Sequence, residues 1–341
     1  MGTKKNDSNT QILRAIGVSI FGALSPFSAS AQLAGDLNAL LAAASPGDVI
    51  STKNRDFGDV SLAGYSFDPP VTIKFHKKAA INQLIIRNSS GLKFDGMNMV
   101  LGESFSPASD KGVFVLGGGN IAFNDASIEW ARDADPLNDG TAMVFDGVDG
   151  VSISGGAISH SLSGVVIRSS SNASVRGVQF SELLGDGIVV SGTRDVTIDD
   201  NTCTDFAPRG TSGSHPDCIQ LQAGSRAVAN TNLAITNNMA LKGAGSKFQG
   251  IFVTSRHVGV PHINVTIENN TVKQDVGNGI AASNIDGLTV RGNQVLPAFD
   301  VTDPPRIIVN EPASDVLIEG NTASGITAPP DAIIRDNTIL D

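Results

Sequence analysis

The sequence predicts an all-β fold in which repeated coils build one elongated parallel β-helix. A nine-residue phrase recurs from about residue 91 onward, most clearly at residues 195–203, 232–240, 264–272, 287–295 and 315–323. The seventh positions of the series, counted from Val178, lie 23, 37, 32, 23 and 28 residues apart. Self-similarity at such a period is typical of a solenoid, and the shortest interval suits one coil of a β-helix.

Each copy of the phrase alternates apolar and polar residues and then reaches a position that is usually asparagine. Alternation of period two predicts a strand with one buried face. Asparagine tolerates left-handed backbone angles, so we expect a tight turn at that position. The alternation predicts that eight side chains point into the coils: Val196, Ile198, Leu233, Ile235, Val265, Ile267, Leu288 and Val290.

Composition supports the same fold class and narrows the range of partners. The chain contains 37 glycines but only one tryptophan and one tyrosine, and valine, isoleucine, threonine and asparagine are frequent. A net charge of −10 and a pI near 4.9 argue against a nucleic-acid partner, because such proteins normally carry a basic face. No apolar run reaches the roughly 18 residues that a membrane-spanning helix needs.

Residues 1–31 have the pattern of an export signal. Basic residues precede the apolar stretch 15–24, and Ala29-Ser-Ala31 before Gln32 fits a small-residue cleavage site. This interpretation predicts a periplasmic or secreted protein. The alternative is an N-terminal arm of the kind that virion proteins carry, which would make the chain part of a virion.

The segment after the signal is predicted to close the end of the solenoid. Residues 33–44 are helix-forming and apolar on one side, and residues 45–50 then break the helix and begin a strand. A capping helix has a purpose there, because an open solenoid end exposes strand edges. We therefore expect a cap and turn over residues 32–47 and a β-helix over 48–341.

A second strand recurs in the coils and begins with a polar residue followed by glycine or cysteine. Stacking in register about 4.8 Å apart would align its first residues in one column: Ser163, Asp186, Asp217, Gln249 and Asn278. The same alignment points another set of side chains outward, namely Arg168, Gln220, Gln222 and Phe252. Exposed amides on a flat sheet face suit a sugar chain lying along it.

The charge distribution marks the same region. Residues 206–262 contain a single acidic residue, Asp217, but five Lys or Arg and three His: Arg209, Arg226, Lys242, Lys247, Arg256, His215, His257 and His262. The rest of the chain is acidic. A basic segment with a few aromatic residues attracts anionic polymers, and its two long intervals are loops of the kind that usually carry function.

The two cysteines, Cys203 and Cys218, lie 15 residues apart and flank His215. In an exported protein they could form a disulfide that closes the loop carrying this histidine. Two buried thiols within the stack are the alternative.

Taken with these coils and their Asn-rich turns, the Pro46-Gly-Asp48 turn and the helical cap resemble the pectate-lyase-like superfamily. The resemblance implies a single-stranded right-handed parallel β-helix with an N-terminal capping helix. Members of the superfamily include polysaccharide lyases, alginate-type C5-epimerases, glycoside hydrolases and phage tailspike depolymerases. The segment His215-Pro-Asp-Cys-Ile-Gln220 is similar to the acidic, histidine-containing motif of alginate epimerases, with a different residue order.

For a uronate polymer, the resemblance implies β-elimination or C5-epimerisation. β-Elimination needs a group that neutralises the sugar carboxylate, a base for the C5 proton and an acid for the leaving oxygen. The candidate base and acid are His215 and His257. Neutralisation falls to basic residues, with amides beside them and an aromatic ring on the same face: Arg256, Lys247, Arg209, Gln220, Gln249, Gln222, Arg168 and Phe252.

Other functions remain open at this point. Asp186 and Asp217 on adjacent coils could act as the two carboxyl groups of a glycoside hydrolase, or could bind calcium through their oxygens. No other cofactor is implied. A third class is a non-catalytic polysaccharide-binding or tailspike-type β-helix, which would make the protein either a monomer or a homotrimer.

Overall fold

The computed structural model describes ten segments of the chain: residues 37–53, 55–77, 79–102, 110–130, 139–206, 215–223, 228–245, 247–255, 259–299 and 303–340. Almost every regular element in them is a strand, and all strand pairings are parallel. The strands form one sheet of 19 and one of 10. This architecture confirms the predicted parallel β-helix.

The strands in the first half of the chain are β1 (Val49–Ser51), β2 (Asp59–Ala63), β3 (Ser66–Lys74), β4 (Gln83–Asp95), β5 (Asn98–Val100), β6 (Lys111–Asn124), β7 (Ser127–Glu129), β8 (Thr141–Asp146), β9 (Asp149–Ser154), β10 (Ala157–Ser159), β11 (Ser163–Arg168), β12 (Ser171–Arg176) and β13 (Gln179–Ser181). Those in the second half are β14 (Ile188–Ser191), β15 (Arg194–Asp199), β16 (Thr202–Thr204), β17 (Asp217–Gln222), β18 (Thr231–Thr236), β19 (Met239–Leu241), β20 (Gln249–Thr254), β21 (His262–Glu268), β22 (Thr271–Gln274), β23 (Asn278–Arg291), β24 (Gln294–Pro297), β25 (Arg306–Glu319), β26 (Thr322–Ala323), β27 (Ile326–Thr327), β28 (Ile333–Arg335) and β29 (Thr338–Ile339).

The coils stack these strands into three faces. Face one contains β2, β8, β11, β14, β17, β20 and β27, and face two contains β1, β3, β9, β12, β15, β18, β21 and β28. The long strands β4, β6, β23 and β25 contribute to both, which joins the two faces into the 19-stranded sheet. Face three is the separate sheet of β5, β7, β10, β13, β16, β19, β22, β24, β26 and β29.

The core lies inside the coils and follows the alternation of the sequence. All eight side chains predicted to point inward are buried, with exposures of 2% or less. On face two, Ile198 of β15 pairs in register with Val175 of β12 and Ile235 of β18, so equal positions of successive coils lie on top of one another. Each coil therefore buries its apolar residues against the coils before and after it.

The repeated asparagines have a different role from the predicted one. The left-handed residues are those immediately before them, such as Asp200, Asn237 and Asn269, each with φ of 56°. The asparagines themselves form a hydrogen-bonded ladder between faces two and three, and all but the last are buried: Asn201, Asn238, Asn270, Asn293, Asn321 and Asn337. The prediction that the asparagine is the left-handed residue was therefore wrong by one position. The residue before it adopts the left-handed conformation, and the asparagine that follows turns its side chain into the coil.

Each rung of this asparagine ladder satisfies buried polar groups of three chain segments. The Asn238 side-chain oxygen accepts hydrogen bonds from the backbone N–H and the side-chain amide of Asn201, at 3.0 and 2.9 Å. The Asn238 amide donates to the Ile198 carbonyl and to the Asn270 oxygen, at 2.9 and 3.0 Å. The ladder begins where Val178 donates its backbone N–H to Asn201.

At the N-terminal end, residues 37–42 are helical. Leu37 and Leu41 are buried in the core, and the Tyr65 hydroxyl donates to the Asn38 side-chain oxygen at 2.9 Å. These contacts attach the helix to the first coils. The predicted signal over 1–31, the first part of the predicted cap and the boundaries at 32 and 48 stay predictions. Within the described segments, no helix is long and apolar enough to cross a membrane.

Candidate functional site

The candidate site lies on face one, where β14, β17 and β20 begin. Asp217 pairs in register with Gln249, and Gln220 lies between Val189 and Phe252 of the neighbouring coils. These pairings give the column alignment that the sequence predicts for this face. The site is therefore built from three adjacent coils on a rigid sheet.

Asp217 is the centre of the contacts within the site. Its backbone N–H donates to Asp186 Oδ1 at 2.9 Å, and its Oδ2 accepts from the Gln220 side-chain amide at 2.9 Å. The same Oδ2 lies 3.7 Å from His215 Nδ1. The His215 ring in turn lies 5.5 Å from the Phe252 ring, centroid to centroid. A histidine, two carboxyl groups, an amide and an aromatic ring thus meet in one place.

Burial divides these groups into an inner and an outer set. The Asp217 side chain is 0% exposed, whereas the His215 side chain in contact with it is 44% exposed. Asp186 is half-buried. Consequently, a ligand on face one can reach His215, but it reaches Asp217 only through His215.

The surroundings raise the pKa values of all three titratable groups. Burial, followed by the neighbouring Asp217, raises the pKa of Asp186 to about 7. Burial also raises the pKa of Asp217, although His215 and Gln220 partly offset it. Asp217 in turn raises the pKa of His215. Of these groups, Asp186 has a pKa close to neutral pH.

Two buried oxygens of the site have no hydrogen-bond partner among the residues that the structure describes: Asp217 Oδ1 and Gln249 Oε1. The two residues are register partners on adjacent coils, so both acceptors belong to the same small region. A buried acceptor without a partner is unfavourable by about 1–3 kcal/mol. Water held inside the site would satisfy both oxygens.

The interior beneath the site is fixed by a disulfide and by stacked rings. Cys203 and Cys218 are bonded, which decides between the two interpretations of these cysteines. Phe206 and Phe248 stack below at 4.4 Å between ring centroids. Gly187 is required beside them, because a Cβ at this position would come within 2.6 Å of the Cys218 carbonyl oxygen. The disulfide joins β16 to β17 and so anchors the strand that follows His215.

The remaining predicted residues are spread more widely. Gln222 lies on face one in register with Ser191 and Thr254. It is two residues after Gln220, on the same side of the strand. Lys247 is exposed two residues before Gln249. The Arg168 guanidinium lies 3.0 Å from Asp146. Three other predicted residues lie outside the described segments: Arg209, Arg256 and His257.

Two residues of the basic segment, Lys242 and His262, contact other parts of the protein. Lys242 lies 3.8 Å from Asp275 and 5.3 Å from the centroid of Phe299. His262 is fully buried, with Nδ1 3.3 Å from the Asn230 backbone nitrogen and Nε2 3.0 Å from the Thr254 carbonyl oxygen. Burial lowers the pKa of His262, so this histidine is a neutral structural residue.

Sequence reasoning missed Gly187 and the phenylalanine pair as supports of the site. The Asp186-Gly187 dipeptide was a usable signal, because a glycine beside a candidate acid often marks close approach of another backbone. The burial of Asp217 had no local signal, since it depends on residues from other coils.

The two acids do not provide a calcium site by themselves. Calcium takes six to eight oxygen ligands, whereas Asp186 and Asp217 each already use one oxygen as a hydrogen-bond acceptor. In the parts of the chain that the structure describes, no group of three or more His, Cys, Asp or Glu side chains is arranged to hold a metal ion. No chemical step is therefore assigned to calcium.

Comparison with solved structures identifies proteins of the same architecture. The A-modules of the mannuronan C-5 epimerases AlgE6 and AlgE4 from Azotobacter vinelandii match with TM-scores of 0.59 and 0.58 at 13% and 14% identity. The matches cover 92% of this chain and 95% of the AlgE6 module, and 91% of both chains for AlgE4. DFA-IIIase from Arthrobacter chlorophenolicus A6, in complex with GF2, matches with a TM-score of 0.52 at 11% identity over 90% of this chain and 82% of that one.

At these identities the structural likeness shows the fold alone. No curated protein matches the sequence. The family model described as "Right handed beta helix region" matches residues 111–295, which is more than half of the chain. This match also gives the handedness of the coils, as the resemblance implied. The chain belongs to the right-handed β-helix family.

Proposed function

We propose that this protein is an enzyme that moves protons on the uronate residues of an anionic polysaccharide, by β-elimination or C5-epimerisation. The observation that carries the proposal is a fully buried carboxyl group, Asp217, behind a half-exposed histidine, His215, with Asp186 next to them. Both reactions need one group that removes the C5 proton and a second group that delivers a proton. Burial raises the pKa of Asp186 to about 7, which suits a proton donor near neutral pH, and the contact with Asp217 raises the pKa of His215.

The burial of Asp217 weighs against hydrolysis by the Asp186–Asp217 pair. In most glycoside hydrolases both carboxyl groups act directly at the glycosidic bond or at the water that attacks it. A side chain with no exposed surface does not reach either one. Contact of Asp217 with His215 suits a different role, in which the carboxylate orients the imidazole and stabilises its protonated form.

The proposed roles follow from these positions. His215, oriented by Asp217, removes the C5 proton. Asp186 supplies the second proton, because its pKa of about 7 keeps it mostly protonated below neutral pH and about half protonated at pH 7. The buried oxygens of Asp217 and Gln249 would accept hydrogen bonds from water held inside the site, out of direct contact with the sugar. Phe252 holds the outer side of the imidazole by ring contact.

Neutralisation of the sugar carboxylate is assigned to basic residues. Lys247 is exposed two residues before β20, and Arg209, Arg256 and His257 are further candidates from the sequence alone. A cation beside the carboxylate lowers the barrier to removing the adjacent C5 proton, because it stabilises the negative charge that develops. Two structural relatives are mannuronan C-5 epimerases, which supports this substrate class.

The test is turnover of uronate polymers by the purified protein. Absorbance of an unsaturated product reports β-elimination, and uptake of deuterium at C5 from heavy water reports epimerisation. We expect His215→Ala to lower kcat by about 10²–10⁴-fold, as removal of a positioned proton-transfer group does. Asp186→Asn and Asp217→Asn should also lower kcat strongly.

The matched control is Asp195→Asn, which changes an exposed aspartate on face two and should keep full activity. Activity should fall at low pH as His215 becomes protonated and at high pH as Asp186 ionises, and Asp186→Asn should abolish the alkaline limb of whatever activity remains. Activity of His215→Ala equal to that of the parent would leave face one as a binding surface only. Release of reducing ends without an unsaturated product would instead favour hydrolysis.

We further propose that the protein works outside the cytoplasm, in the periplasm or after secretion. The Cys203–Cys218 disulfide supports an oxidising compartment, and the predicted signal over 1–31 supports export. Mass spectrometry of the protein from periplasmic and culture fractions should find Gln32 as the first residue. A full-length N-terminus in an assembled particle would favour the virion alternative.

A further inference from the structure

The coil at the C-terminal end of the β-helix has three strands that are paired on one side only. β27 and β28 pair with β25, and β29 pairs with β26. Among the residues that the structure describes, no strand covers the other edge of any of the three. Backbone N–H and C=O groups on an open edge can pair with a strand of another chain.

Apolar side chains accompany these open edges. Ile334 stacks on the buried Ile318, and Ile339 stacks on the buried Ala323, so both continue inward-facing columns of the core. They are nevertheless 50% and 53% exposed, and Ile333 beside them is 59% exposed. Exposed apolar side chains next to unpaired strand edges mark an interaction surface.

The opposite end of the β-helix is closed in a different way. The helix over residues 37–42 lies there, with Leu37 and Leu41 buried in the core. The C-terminal coil of one molecule therefore does not find an open coil at the N-terminal end of another. Contact of one surface with the same surface on a second copy does not need such a coil, and it closes as a dimer with two-fold symmetry.

The charges at the C-terminal end are complementary under such a two-fold axis. With the axis at Ile334, β28 meets β28 of the second copy antiparallel, and Ile334 lies opposite its own equivalent. Arg335 then lies opposite Ile333 and diagonal to Asp331 of the second copy, within reach of a long side chain. Both Asp331 and Arg335 are exposed, so the axis brings opposite charges together twice.

We propose that two copies of this chain join end to end through the C-terminal coil, about a two-fold axis perpendicular to the helix axis. Face two of one copy then continues into face two of the other, and faces one and three exchange places across the joint. β27 of each copy consequently meets β29 of the other, and each of these strands has two residues. The joint lies four coils from β17, or about 20 Å, so each copy keeps a complete candidate site.

The experiment measures the mass and length of the purified protein over a concentration series, by analytical ultracentrifugation and small-angle X-ray scattering. We expect a particle of two chains with about twice the length of one. Ile334→Asp places two like charges at the axis and should raise the dimer Kd by about 100-fold or more. Ile263→Asp is the matched control, because Ile263 is 36% exposed on β21, away from the joint, and this variant should dimerise like the parent.

A charge exchange tests the orientation of the two copies with a gain of association, which misfolding does not mimic. Asp331→Arg and Arg335→Asp should each raise the dimer Kd by about fivefold, and the double variant should bring it back toward the parent value. Four results overturn the proposal: a single chain at every concentration, an assembly no longer than one chain, a dimer that Ile334→Asp leaves intact, or a double variant without recovery. None of these measurements depends on catalytic turnover, so they test the joint separately from the proposed reaction.

Discussion

At the level of single residues, Asp186 and Asp199 show how the surroundings set the charge of the same side chain. Asp199 lies near the surface of face two and accepts hydrogen bonds from Thr236 and Asn237, at 2.6 and 2.8 Å, which lower its pKa. Asp186 is more buried and lies beside a second carboxyl group, so its pKa is raised to about 7. The surroundings of Asp199 therefore favour its ionised form, and those of Asp186 favour its protonated form.

This difference predicts opposite effects of one substitution on stability. The folded protein favours protonated Asp186, so the unfavourable contribution of this group grows as the pH rises from about 3.8 to 7 and is constant above. Asp186→Asn should therefore raise the free energy of unfolding little at pH 4 and by up to about 4 kcal/mol at pH 8. The Asn oxygen can still accept the Asp217 N–H.

The companion variant Asp199→Asn should behave in the opposite way, because a lowered pKa stabilises the fold above the ordinary value. Its loss of stability should appear at neutral pH and vanish in acid. Urea unfolding of both variants over pH 4–8 measures the two trends. A pH-independent effect of Asp186→Asn would mean that Asp186 is ionised in the fold like an ordinary aspartate.

At the level of elements, the asparagine ladder holds successive coils at one spacing. Every buried rung serves both the coil before it and the coil after it, as Asn238 does between Asn201 and Asn270. Loss of one rung therefore leaves donors and acceptors unsatisfied on two sides. Buried groups of this kind are each unfavourable by about 1–3 kcal/mol.

We therefore expect Asn238→Ala to lower the free energy of unfolding by roughly 3 kcal/mol. Asn310→Ala is the control, because Asn310 is exposed on β25 and lies outside the ladder. Chemical denaturation monitored by circular dichroism compares them. Equal stabilities of the two variants would show that the ladder contributes little to the free energy of unfolding.

The elements also show why part of the structure was predictable. Inward residues such as Ile198 and column neighbours such as Gln220 and Phe252 follow from alternation and stacking, which repeat locally in the sequence. The role of Asn201 did not follow, because asparagine suits both a left-handed turn and a buried ladder.

At the level of the whole molecule, the candidate site depends on contacts that no single segment of sequence encodes. Asp217 is buried by residues from several coils, and His215 reaches it only because the disulfide and the sheet fix the strand that follows. Exposure of a side chain in a solenoid is decided by the neighbouring coils. The sequence could therefore nominate Asp217 but could not distinguish a reacting group from a positioning residue.

The coils differ in length, and the places where they differ show where the fold accepts insertions. The intervals of 23 to 37 residues differ mainly at two corners, between faces three and one and between faces one and two. The asparagine ladder lies at the third corner, between faces two and three, and keeps its rungs in contact. Insertions at the first two corners thus leave the register of the third untouched. A loop from another right-handed β-helix could be transplanted between β16 and β17 and would be held by the same strands, so new specificity can be grafted without redesigning the scaffold.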